Sequence, residues 1–206
     1  MPHTRPVSAT DALERLRQGN ARFVENVAAA NASHDRRAEL VRGQAPFAII
    51  LGCSDSRAPA ELVFDQGLGD LFVIRVAGNI IAPSLVGSVE FAAERFGTKL
   101  VVVMGHTQCG AILAAIEQLR RPSGGGSPNV QDIVDRVRPA VESVVATRPD
   151  LQGDALIREA VRANIRASVG QLRHGSPLLE GLIRRDGLLV VGAEYDLETG
   201  VVEFFN

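Results

Sequence analysis

Cys53, His106 and Cys109 have the side chains of a soft-metal site, and they include both cysteines of the chain. Two thiolates and an imidazole are the donor set that zinc, an ion of borderline softness, favours. Three protein ligands leave a fourth position for water, the arrangement of a catalytic rather than a structural centre. His106 and Cys109 stand at i and i+3, so one turn entering a helix can bring them together where the helix dipole also favours a thiolate. Near Cys53, Asp55 and Arg57 are two residues apart and spaced for a bidentate fork. A carboxylate held by arginine stays ionised at neutral pH. It can accept a hydrogen bond from a zinc-bound hydroxide or, once released, swing onto the metal. Plainer readings stand beside these: a buried inert cysteine, a Cys53–Cys109 bridge that a cytoplasmic setting disfavours, and a turn carboxylate with its salt-bridge partner.

These residues must be placed by the elements around them. Short continuous apolar runs at 47–51, 71–76, 100–105 and 188–193 predict strands buried on both faces, alternating with helical patterns. That is the grammar of an α/β fold: a central, mostly parallel sheet of about four strands flanked by helices. Residues 201–205 are expected to add an antiparallel edge strand through a hairpin at 196–200. Cys53 to Arg57 follow the first run and His106 to Gly110 the third, so adjacent parallel strands would carry both clusters to one sheet edge, where such folds place ligands. Gly105 and Gly110 read as positions that let the backbone crowd the ion. Ser84 reads as a helix cap and Gly97 as a helix stop. A later helix carries Ile157, Val161, Ile165, Val169 and Leu172 on one stripe, and Ser176-Pro177 opens a shorter one.

Residues 1–42 read as an N-terminal helical arm suited to a dimer contact, and 43–206 as a single α/β domain. Thr10-Asp11 can cap the first helix, whose pattern Gly19-Asn20 interrupts; residues 31–39 are too polar for a core. The 122–128 stretch PSGGGSP is a loop without the lysine of a phosphate-binding loop. His3, His34 and His174 sit in polar or helix-terminal contexts and read as solvated. With 22 basic and 24 acidic residues the net charge is −2, which gives no field for nucleic acid or an anionic membrane. Two cysteines are too few for a disulfide framework. The apolar runs fall far short of the roughly 20 residues of a membrane helix, and the first ten residues lack the apolar run of a secretory signal. The default setting is cytoplasmic.

Taken in order, Cys53-Ser-Asp-Ser-Arg57, the segment from Gly69 to Asn79 and Gly105-His-Thr-Gln-Cys109-Gly110 resemble the beta-class carbonic anhydrases. The similarity runs from about Gly43 to Gly110 and continues weakly to Tyr195. It implies one zinc ion per chain on Cys53, His106 and Cys109, with Asp55–Arg57 as the catalytic dyad. It also implies reversible hydration of carbon dioxide to bicarbonate and a proton through a zinc-bound hydroxide. Gln44 would donate its amide to a bicarbonate oxygen from the neighbouring subunit, and Phe72, Ala77, Phe91 and Gly110 would line the substrate pocket. The family implies a homodimer as the minimal unit, often paired into a homotetramer. Some bacterial members bind regulatory bicarbonate through tryptophan, arginine and tyrosine. Here Arg75 and Tyr195 match, but Ile50 stands where the tryptophan would be. That departure predicts the open form, with water as fourth ligand near neutral pH and Asp55 as fourth ligand only in a closed, low-pH form. The alternatives are a carbonyl sulfide or carbon disulfide hydrolase on the same fold and a non-catalytic zinc or bicarbonate sensor. Retention of Asp55, Arg57 and Gln44 argues against the sensor, and the His-x-Glu pattern of zinc deaminases is absent.

Overall fold

The computed structural model of the chain describes residues 7–30, 33–121 and 127–205. His3, the side chain of His34 and most of the 122–128 loop lie outside the described residues, while His174 is exposed. Five strands, β1 (Ala48–Gly52), β2 (Leu71–Arg75), β3 (Leu100–His106), β4 (Leu189–Tyr195) and β5 (Val202–Phe205), form one sheet in the order β2-β1-β3-β4-β5. The first four run parallel, and β5 returns antiparallel along β4. β1 and β3 are buried along their whole length, as the unbroken apolar runs predict. β2 differs from that expectation. It is the edge strand, so Phe72 and Val73 are only half-buried and Arg75 is exposed.

Among the described residues eight helices cover the two faces: α1 (Ala9–Val24), α2 (His34–Leu40), α3 (Ala60–Val63), α4 (Pro83–Phe96), α5 (Gly110–Arg120), α6 (Pro128–Thr147), α7 (Gly153–His174) and α8 (Pro177–Asp186). Alternation along β1 divides the core between them. Ile49 and Leu51 face α4 to α8 with Val101, Val103, Ile165 and Val169. Ile50 faces the other way, with Val102, Met104, Leu16 of α1 and Phe64. Ser8, rather than Thr10 or Asp11, caps α1 by accepting from the Asp11 N–H. Ala82 is the N-cap of α4, with Ser84 inside its first turn, and Gly97 ends it in the left-handed conformation at φ 65°. Ser176 caps α8 through the Leu179 N–H as its sequence suggests. No helix among the described residues is long and apolar enough to cross a membrane.

Gly19-Asn20 does not break α1; it is where the helix docks. A Cβ at position 19 would lie 1.8 Å from the Phe64 carbonyl oxygen, so only glycine allows that approach. Asn20 donates to the carbonyls of Val63 (3.1 Å) and Gly200 (2.9 Å) and accepts from the Val202 N–H (2.8 Å). Asp65, buried and in the left-handed region at φ 46°, holds the chain leaving α1. It accepts from Arg22 Nε (2.6 Å) and from the N–H groups of Ala29 and Ala30 (3.0 and 2.8 Å). Burial alone would push its pKa up, but the Arg22 pair and the two backbone donors outweigh that and hold it below the ordinary carboxylate value.

A carboxylate stabilised in this way contributes fully above its unfolded pKa of about 3.9 and loses its contribution as pH falls through the lower folded value. Asp65→Asn keeps the volume and tolerates the left-handed backbone. It is expected to cost about 1.5–3 kcal/mol at pH 7, read from urea denaturation midpoints. The gap to wild type should close in acid; a gap that persists unchanged below pH ~3 would disprove the assignment.

Candidate metal centre

The chain moves from β1 to β2 on one side and from β3 to β4 on the other, so the strand order reverses between β1 and β3. Open α/β sheets bind ligands at such a switch point, outside the carboxyl ends of the strands. Register puts Gly52 of β1 opposite Met104 of β3, which brings Cys53 and His106 to that crevice. Gln108, at φ 55°, then turns the chain sharply, and Cys109 becomes the N-cap of α5. Cys53, His106 and Cys109 are all buried, their ligand atoms lie within 4.8 Å of one another, and the two sulfurs are 4.0 Å apart as free thiols.

The imidazole is prepared for a metal. Its Nδ1 donates to the Thr107 carbonyl at 2.8 Å, which leaves Nε2 bare. Thr107 is itself fixed, its N–H bonded to the Tyr195 carbonyl and its Oγ1 accepting from the Leu197 N–H. Nε2 is buried and has no hydrogen-bond partner among the described residues. A buried nitrogen so oriented and left unpaired costs free energy unless something binds it. A hydrogen bond links the two thiols: donated by Cys109, it lowers the Cys53 pKa to about 4, and the same bond together with burial drives Cys109 up. The Gly78 N–H adds a hydrogen bond to the Cys53 sulfur at 3.3 Å. Burial pushes the His106 pKa down, but the Thr107 hydrogen bond and the nearby Cys53 sulfur and Asp55 carboxylate raise it overall. A cation between the two sulfurs and Nε2 would satisfy all three donor atoms, so the residues fit a zinc ion.

Asp55 and Arg57 form the expected fork, Nε to Oδ1 at 2.9 Å and Nη2 to Oδ2 at 2.7 Å. Arg57 holds the Asp55 carboxyl well below the usual carboxylate range, and Asp55 Oδ2 lies 3.7 Å from His106 Nε2. The carboxylate therefore faces the ligand atoms while its arginine keeps it charged. Two glycine expectations need correction. A Cβ on Gly105 would meet Ile165 at 2.7 Å and the Asn79 amide oxygen at 3.3 Å, so its smallness serves the packing of α7 rather than crowding an ion. Around Gly110 a Cβ would meet nothing within 4 Å. Phe72 and Phe91 adjoin, ring centroids 6.2 Å apart, in a cluster completed by Phe96. Gln44 is exposed and lies before β1, at the opposite end of that strand from Cys53. Thr107 and the Gly78 N–H were not singled out in the sequence, because backbone groups and a neighbouring carbonyl leave no signature of residue type.

A metal held by three ligands keeps a coordination position for a small reactant, and this donor set suits zinc: the fold and site define a zinc enzyme. Comparison with known proteins says which kind. The profile of the family described as carbonic anhydrase matches residues 48–202. A relative named carbonic anhydrase 2 from Mycobacterium tuberculosis is 41% identical over 204 residues, 97% of this chain and 93% of the relative. A carbonic anhydrase from Mycolicibacterium smegmatis is 38% identical over 211 residues, 98% of this chain and 95% of the relative. Among solved structures, the beta-carbonic anhydrase CcaA superposes with a TM-score of 0.77 at 28% identity, over 96% of this chain and 86% of that one. The chain belongs to the carbonic anhydrase family, in its beta class.

The purified protein is expected to carry one zinc ion per chain, counted by atomic emission. Cys109→Ser and His106→Ala should each weaken zinc binding by at least about 100-fold, because each removes a direct ligand, and losing a group that merely hydrogen-bonds to a ligand already costs about 10–100-fold. Full zinc content in either variant after dialysis against a chelator would rule out the three-ligand centre.

Proposed function

We propose that the chain catalyses reversible hydration of carbon dioxide to bicarbonate and a proton, with Cys53, His106 and Cys109 holding zinc and Asp55 and Arg57 as the catalytic dyad. The observation that carries this reading is the Asp55 carboxylate, locked by Arg57 and facing the bare His106 nitrogen at 3.7 Å. Zinc at such a site lowers the pKa of a bound water toward neutrality and so supplies a nucleophile. Asp55 contributes orientation. An ionised carboxylate only accepts hydrogen bonds, so a hydroxyl beside it must donate to it and present its lone pairs elsewhere. Arg57 spends its fork on Asp55 and keeps that carboxylate from turning toward the thiols and imidazole. Closure of Asp55 onto the metal would first have to break two short, charge-assisted hydrogen bonds, which supports the open form as the working state.

In this reading Phe72, Ala77, Phe91 and Gly110 line the substrate pocket, as the family resemblance implies; the contact of the Phe72 and Phe91 rings and the free space beside Gly110 support it. Gln44 cannot serve its own site. Residues 45–47 and the five residues of β1 separate it from Cys53, and β1 alone spans about 17 Å of extended chain. That separation supports the role the family resemblance implies for it, at the site of a second subunit. Exposed apolar groups support a homodimer: Val41 is 83% exposed, and Phe91, 54% exposed, packs on Phe72 at the unpaired edge of β2. Pairing of dimers into tetramers belongs to the same reading. Regulation by bicarbonate at a second pocket is disfavoured. Ile50 is buried in the core, and Arg75 is bonded to the Cys53 and Asp55 carbonyls, at 3.0 and 2.6 Å. Thiol ligands need a reducing compartment, which favours the cytoplasm.

Stopped-flow hydration of carbon dioxide with a pH indicator tests this reading. Zinc-loaded wild type should be active and Cys109→Ser inactive. Asp55→Asn should lose about 100-fold in kcat with zinc retained, and Gln44→Ala should raise KM. A zinc-loaded wild type that hydrolyses carbonyl sulfide but does not hydrate carbon dioxide would overturn it in favour of the alternative substrate.

A further inference from the structure

α7 carries two polar residues in the middle of its apolar face. Asn164 and Ser168, at i and i+4, are 3% and 4% exposed among Val161, Ile165, Val169 and Leu172. Buried donors in such a stripe lower stability unless they find acceptors. Both find theirs in one place. Asn164 Nδ2 donates to the Gly78 carbonyl at 2.8 Å, and Ser168 Oγ donates to the Asn79 carbonyl at 3.1 Å.

Those carbonyls belong to the 3-10 turn at Ala77–Asn79 that follows β2. The turn holds two consecutive left-handed residues, Gly78 at φ 72° and Asn79 at φ 42°. Glycine and asparagine both reach that region readily, so its occupancy here is not strain. The orientation of the turn still depends on what its carbonyls bond to. The Asn79 side chain does not fix that orientation through its Nδ2, which has no partner among the described residues. The two carbonyl clamps from α7 do. What they fix is the Gly78 N–H, which points at the Cys53 sulfur at 3.3 Å. Gly78 also abuts the first turn of α5, which starts after Cys109: a Cβ there would lie 2.8 Å from the Ala111 Cβ.

We propose that Asn164 and Ser168 are positioning residues of the metal centre: by clamping the Gly78 and Asn79 carbonyls they hold the Gly78 N–H on the Cys53 thiolate. The inference rests on Cys53 being a metal ligand. An N–H donor withdraws electron density from a thiolate, so the sulfur gives less charge to the metal and the metal stays a stronger Lewis acid. Neither residue touches substrate. Their effect reaches the site through a single backbone hydrogen bond.

Cobalt(II) replaces zinc in tetrahedral thiolate sites and reports on sulfur through its thiolate-to-metal charge-transfer band. In cobalt-substituted protein, Asn164→Leu and Ser168→Ala are expected to move this band to lower energy, because the freed sulfur lone pairs rise. Ser168→Thr, which keeps the hydroxyl, should leave it in place. With zinc, the first two variants should lose about ten-fold in kcat at unchanged KM. Ser168→Ala with its threonine control suffices if Asn164→Leu does not fold. An unmoved band in Ser168→Ala, or an equal shift in Ser168→Thr, overturns the proposal. Wild-type protein with no thiolate band at all would instead overturn the ligand assignment on which it rests, and the proposal with it.

Discussion

The parallel pairing of β1 with β3 is the constraint on which the site depends. Each strand ends in residues that are ordinary alone; chemistry appears only because Gly52 lies opposite Met104 and the two exits meet. A one-residue slip would turn every side chain of β1 to the opposite face and shift Cys53 by about 3.3 Å along the strand. The slip is opposed by burial on both faces. Ile49 and Leu51 belong to one core, and Ala48 and Ile50 to the other, so neither face can be exchanged without exposing apolar surface or crowding the opposite layer. The hydrophobic core thus sets the geometry of a polar site whose two cysteines it includes.

Charge is handled differently on the two sides of the crevice. On the inner side, two thiols and an imidazole are packed away from water, where two free negative charges would be costly. A divalent cation neutralises them, so metal affinity and local order are coupled here. On the outer side, Asp55 keeps its charge because Arg57 accompanies it into the crevice mouth. One element is neutralised by what it binds, the other by a partner in the same chain. A cation held by the three ligands would face a carboxylate whose charge is already matched by Arg57.

Much of this was legible in the chain itself. Unbroken apolar runs announce β1, β3 and β4 because a strand buried on both faces has no polar positions to spare. The donor triad is legible because cysteines are scarce and both follow predicted strands. What stayed hidden was contact at long range. Gly19-Asn20 looks like a helix break by propensity; only the Phe64 carbonyl pressed against Gly19 makes it a docking point. Gly105 looks like space for an ion until Ile165, sixty residues on, is found above it. Asn164 and Ser168 interrupt an apolar stripe without any local hint of their acceptors, nearly ninety residues earlier. Edge position was hidden too: β2 reads like its neighbours, and only the strand order leaves it with one unpaired side.

Asn20 ties the first helix to the hairpin that opens β5, accepting a hydrogen bond from a residue synthesised 182 positions later. During translation, therefore, α1 emerges long before the groups that complete its docking exist. Its carboxamide must stay solvated, or be shielded by a chaperone, until residues 200–202 have been made. Only then can the hydrogen bonds that dock this helix close.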